Sequence, residues 1–122
     1  MGMVTSSKEK IIIFTDGGAR GNPGPAAIGV VIKDHQGRLV KSYGEVIGEA
    51  TNNEAEYRAV ISALSKVKAL WGKERTKKIS VEVNADSEFV VRQLNGEYKV
   101  EEERLFPLFI KVWNLKMDFG II

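Results

Sequence analysis

Three acidic residues of this 122-residue chain have the type and setting to do chemistry together: Asp16 in FTDGG, Glu56 in TNNEAEYRAV and Asp86 in VNADS. Carboxylates gathered at one point hold hard divalent cations such as Mg²⁺ or Mn²⁺. The rest of the donor inventory points the same way. There is no cysteine, and the single histidine, His35, lies in the turn-like DHQG. Taken alone, each acid also has an ordinary use. Asp16 before two glycines can open a turn, and Asp86 can cap the helix that follows it. For Glu56 the positions at +4, +7, +8, +11 and +14 are Val60, Ala63, Leu64, Val67 and Leu70, so it heads the apolar stripe of a helix. A carboxylate on that stripe is costly unless an arginine, a water pocket or a metal ion compensates its charge.

Glu54 stands two positions earlier, about 200° around the helix from Glu56, and cannot share its site. It has a different task. Thr51 followed by Glu54 is the spacing of a capping box, and Glu54 also precedes Arg58 by four residues, a favourable helical pair.

The elements that must carry these acids follow from the hydrophobic period. KIIIFTD, AAIGVVIKD and RLVKSYGEVI have strand composition and read as three antiparallel strands, the last two joined through DHQG. A helix from about Asn52 to Trp71, a basic loop GKERTKK, a strand ISVEVNA and a helix DSEFVVRQL ending at NG follow. If the first and fourth strands are parallel neighbours, the long helix is their right-handed crossover, and Asp16 and Asp86 close the two strands at one carboxyl edge. Alternation gives Asp86 the parity of Ser80, Glu82 and Asn84, so its direction must come from the strand-to-helix turn. EEERLFPLFIKVWNLK reads as a further helix with Pro107 in its first turn, and MDFGII as a fifth strand.

FTDGGARGNPGPAAIGVVI, TNNEAEYRAVISAL and ADSEFVVRQLNGEY, in this order and spacing, resemble the three signature segments of type 1 ribonuclease H. The resemblance spans residues 10 to 122 and belongs to the short form without a basic protrusion, since NGEYKVEEER is short and acidic. It implies an α/β ribonuclease H-like fold with a mixed five-stranded sheet, ordered 3-2-1-4-5 with strand 2 antiparallel, flanked by helices. It implies an endonuclease that cuts the RNA strand of RNA/DNA hybrids with two Mg²⁺ ions in the substrate complex, Mn²⁺ as a substitute, and water as nucleophile, leaving 5′-phosphate and 3′-hydroxyl ends. Asp16, Glu56 and Asp86 align with the family's metal-binding carboxylates, joined by the backbone of Gly17. Asn52 and Asn53 align along the minor groove, Asn22 and Thr51 at a phosphate of the DNA strand, and Gly18, Arg20 and Glu88 as further substrate contacts.

One departure matters. The family carries a fourth metal ligand on a helix after the fifth strand, Asp118 lies too early to supply it, and the chain stops at Ile122. The expectation is a leader over residues 1–9 and a domain over 10–122 that is C-terminally incomplete, its final helix absent. Two readings stay open: a metal-dependent ribonuclease, or a hybrid-binding module that is catalytically weak or inactive for want of that ligand.

Composition frames these readings. A chain of this length, 43% hydrophobic, suffices for one core, and a net charge of +2 permits nucleic-acid binding without requiring it. No apolar run reaches the roughly 18 residues of a membrane helix, and the start MGMVTSSKEK lacks the apolar stretch of a secretion signal. The expectation is a cytoplasmic monomer with no membrane partner.

Overall fold

Alternation along the first two strands decides which face of the sheet is covered. In β1 (Glu9–Ala19), Ile11, Ile13 and Thr15 are buried while Lys10, Phe14 and Asp16 are exposed. β2 (Gly24–Asp34) buries Ala26, Ile28, Val30 and Ile32. The computed structural model describes residues 9–120 and orders the strands β3-β2-β1-β4, with β3 at Leu39–Ala50 and β4 at Ile79–Ala85. β2 is antiparallel to both β1 and β3, and β4 is parallel to β1. The β2–β3 turn is held by Asp34, whose Oδ1 accepts from the amides of Gln36 and Arg38; exposed His35 lies in it.

Helix α1 (Asn52–Trp71) crosses from β3 to the opposite side of β1 and buries Tyr57, Val60, Ala63, Leu64 and Val67 against the covered face. Burying a large aliphatic side chain stabilises by about 1.5–3 kcal/mol, which is why this stripe, rather than helix propensity, fixes the rotation of α1. α2 (Lys73–Thr76) leads into β4, and α3 (Glu88–Leu94) leaves it. A 3₁₀ turn at Glu103–Leu105 precedes α4 (Phe106–Lys116), and the two pack on α1, the turn burying Leu105 and the helix Val112.

Several expectations are corrected. The sheet has four strands among the described residues, not five. At MDFGII the amides of Met117, Asp118 and Phe119 close a turn on the carbonyls of Asn114, Leu115 and Lys116. Backbone donors spent on a turn cannot join a ladder. Only the Gly120 amide reaches the sheet, donating to the Ile79 carbonyl at 3.0 Å, and residues 121–122 lie outside the described residues, as do 1–8 of the expected leader. Glu9, placed in that leader, opens β1, where it receives both the Trp71 indole and a bidentate Arg75. GKERTKK is partly helical rather than a loop. The EEER part of the expected last helix lies outside α4, which starts at Phe106 with Pro107 in its first turn as expected. Leu70 is 50% exposed, while the next residue, Trp71, packs on the core and donates to Glu9. Among the described residues no helix is long and apolar enough to cross a membrane.

Candidate active site

The start of α1 is set by Thr51 and Glu54. The Thr51 hydroxyl accepts from the Glu54 amide at 3.1 Å, and Glu54 Oε1 accepts from the Thr51 amide at 2.8 Å, the complete capping box. Turned back in this way, Glu54 does not pair with Arg58. Its nearest cation is Arg104, at 3.7 Å, and Arg58 donates to the Ile47 carbonyl instead.

With Glu54 so occupied, the helix presents Glu56 inward, 7% exposed. One oxygen, Oε1, accepts from the Gly17 amide at 3.3 Å, and Oε2 is buried with no partner. The close approach depends on Gly17 having no side chain. A Cβ there would overlap the Ala55 carbonyl group and stand 2.7 Å from the Glu56 nitrogen.

Asp16 does not close β1, which runs on to Ala19 beside β2; it lies just above the last parallel pair, Thr15 with Ala85. The Asp86 amide continues that ladder by donating to the Thr15 carbonyl at 3.1 Å. Phe14 is the register partner of Asn84. Strand parity, carried two residues on, therefore puts Asp16 and Asp86 on the same face. Asp86 itself stands one residue past the end of β4, in the turn that leads into α3.

The result is that one carboxylate oxygen from each of Asp16, Glu56 and Asp86 lies within 4.8 Å of the others. Burial pushes the Glu56 carboxyl up from 4.5 to about 7, and the negative neighbours Asp16 and Asp86 add to the rise while the Gly17 amide opposes it. Three acids this close, one with an unpartnered buried oxygen, repel one another as anions and are relieved by a cation. All donors are oxygens, the set that hard divalent ions take.

The other nominated residues divide by position. Asn52 Oδ1 accepts from the Ala19 amide at 2.8 Å, and Asn22 Oδ1 accepts from the Asn52 amide at 2.9 Å. Both partners are backbone N–H groups, so the oxygen assignment is forced and both exposed side chains offer N–H donors outward. Thr51 is buried with its hydroxyl engaged in the cap, and Asn53 is half-buried beside it. Gly18 and Arg20 are exposed on the strand end and turn between Asp16 and Asn22. Glu88 stands at the start of α3, tied to Arg92 at 2.8 Å. Reasoning from sequence missed the close packing of Gly17 on α1 and a buried polar pair, Tyr57 with Gln93. For the latter a signal existed, since Gln93 follows Val90 on the inward side of a short helix.

Known proteins resemble this chain in sequence and fold. A family described as reverse transcriptase-like matches residues 14–121. LC11-RNase H1, solved in complex with an RNA/DNA hybrid, is 49% identical with a TM-score of 0.84 over 90% of this chain and 78% of that one. The chain belongs to the type 1 ribonuclease H family. Two further relatives are each 40% identical. One is ribonuclease HI of Halobacterium salinarum, matched over 79% of this chain and 45% of that protein. The other is the bifunctional protein Rv2228c of Mycobacterium tuberculosis, matched over 90% of this chain and 29% of that protein. The chain thus spans less than half the length of these curated relatives.

Proposed function

We propose that this chain is a metal-dependent endonuclease that hydrolyses the RNA strand of RNA/DNA hybrids and acts as a monomer, its site being built within one chain. The observation that carries the reading is the convergence of Asp16, Glu56 and Asp86 within 4.8 Å around a buried, unpartnered Glu56 oxygen. Similarity to LC11-RNase H1, solved with a hybrid, supports the substrate. Asp16, Glu56 and Asp86, with the Gly17 carbonyl, would hold the ions, two Mg²⁺ in the substrate complex or Mn²⁺ in their place. Divalent ions at such a site activate water and neutralise charge that builds on the phosphate, which yields a 5′-phosphate and a 3′-hydroxyl.

The chain's own residues then have distinct tasks. Glu56 gives up its proton when a cation is taken, so uptake and proton release are linked. Asn22 and Asn52 direct amide donors at acceptors on the nucleic-acid backbone and minor groove, with Thr51, Asn53, Gly18 and Arg20 along the same edge and Glu88 beside Asp86. A wide minor groove with 2′-hydroxyls is what distinguishes the hybrid from DNA.

A second reading, a hybrid-binding module with weak or no cleavage, is favoured by one observation: among the described residues no fourth acid joins the cluster. Incubating a labelled hybrid with Mg²⁺, Mn²⁺ or EDTA decides between them. Cation-dependent cutting of the RNA strand supports the enzyme; binding without cutting supports the module.

A further inference from the structure

Away from the acids, two polar side chains meet inside the core. Tyr57 is 0% and Gln93 1% exposed. The Tyr57 hydroxyl donates to Gln93 Oε1 across 2.8 Å, and Gln93 Nε2 donates to the Lys99 carbonyl at 3.4 Å. Their places in the chain are informative. Tyr57 follows Glu56 on α1. Gln93 is on α3, which begins two residues after Asp86.

α3 is a lever only seven residues long, about 10 Å. Its buried residues are Val90 and Gln93. Val90 contributes apolar contact, which has no preferred direction. The Tyr57–Gln93 bond is the directional link from α3 to α1 among the described residues. At its other end the lever is pinned by the Asp86 amide on the Thr15 carbonyl, and the Ser87 hydroxyl caps its first turn by accepting from the Val90 amide. With the near end pinned to β1, the angle at which α3 leaves the sheet is set where Gln93 meets Tyr57.

We propose that Tyr57 and Gln93 are positioning residues, whose buried hydrogen bond sets the spacing of α1 and α3 and so holds the Glu56 and Asp86 carboxylates at a distance that one cation can bridge. The proposal rests on the metal-site reading above. Outer partners that orient metal ligands are worth 10- to 100-fold in affinity; with a helix turn intervening, the expected effect is at the low end, about tenfold.

The test is the double variant Tyr57→Phe with Gln93→Met. Replacing both members of a buried hydrogen-bonded pair by apolar groups of similar shape is close to neutral for stability, so the fold survives while the directional link is lost. Mn²⁺ is titrated into wild type and variant by calorimetry, with thermal melting and hybrid binding in EDTA measured in parallel. The expected result is a dissociation constant for Mn²⁺ raised about tenfold, with the melting temperature and the metal-free hybrid affinity near wild type. An unchanged Mn²⁺ affinity in the variant overturns the positioning role while leaving the metal site intact. A wild-type chain that takes up no Mn²⁺ removes both. If the double variant melts early, its Mn²⁺ uptake is measured well below its melting temperature and must still be weakened relative to wild type, and failure to do so counts against the proposal.

Discussion

The amide of Gly17 donates to the carboxylate of Glu56 at 3.3 Å, and the α-carbon of the same glycine abuts the backbone that carries Glu56. One residue thus both seats the helix and orients its acid. Gly17→Ala is expected to push the start of α1 off β1, costing about 1–3 kcal/mol of stability, the usual range for overpacking. Cleavage should fall at least 100-fold, beyond what the stability loss explains at a temperature where the variant is folded. Urea denaturation and single-turnover cleavage measure the two effects separately.

Removing a member of the acid cluster should have the opposite effect on stability. Asp16→Asn and Asp86→Asn are expected to abolish cleavage and to leave the metal-free fold as stable as wild type or more so, because each change relieves repulsion on Glu56. Thermal melts in EDTA beside a hybrid-cleavage assay check this. Mg²⁺-dependent turnover in either variant would remove the central assignment.

The position of Glu56 also sets a pH dependence. Its carboxyl is raised in the folded chain from 4.5 to about 7, so between these values the folded state binds more protons than the unfolded. The associated stability is fully present below about 4.5 and is lost as pH rises through about 7. The loss amounts to roughly 3 kcal/mol at most. Metal-free urea midpoints should therefore fall over this window and level off above it. Glu56→Gln should flatten the profile, and added Mn²⁺ should stabilise most at the alkaline end, where no proton need be displaced.

Asn22 and Asn52 give a test of the nucleic-acid edge. In each, Oδ1 is spent on a backbone amide and only the amino group faces outward. Exchange for aspartate keeps the oxygen and replaces the donor by a negative charge. Asn22→Asp and Asn52→Asp are expected to weaken hybrid binding about 10- to 100-fold, as losing a hydrogen bond to a charged group does, with melting temperature little changed. Fluorescence anisotropy in EDTA reads the binding; an effect on melting alone would contradict the assignment.

What was legible in the sequence was mostly local. The capping box and the inward turn of Glu56 are fixed by spacing along one helix, and they stand as read. The separation of Asp16 and Asp86 was harder, because strand register is a long-range property; only the pairing of Phe14 with Asn84 shows that parity brings the two acids together. MDFGII has strand composition, yet the amides of Met117, Asp118 and Phe119 are taken by a hydrogen-bonded turn and the Asp118 carboxylate by Lys68 at 2.7 Å. Composition carries no record of that competition. Leu70 has the right spacing and is nonetheless half exposed, because in the last turn of α1 it is Trp71 that packs on the core.

β1 extends four residues beyond its last partner in β4, from Asp16 to Ala19. The upper rim of the sheet is therefore a stair, with Asp16 on the tread and Asp86 against the riser. On a stair of this kind the acids are addressed by odd and even counting. Deleting one residue within β4 would send Asp86 to the side of α1, whereas deleting two would restore its facing. Counting starts afresh only at the far end of the sheet, in the turn at Asp34–Arg38 and in the segment Gly72–Lys78 that leads into β4.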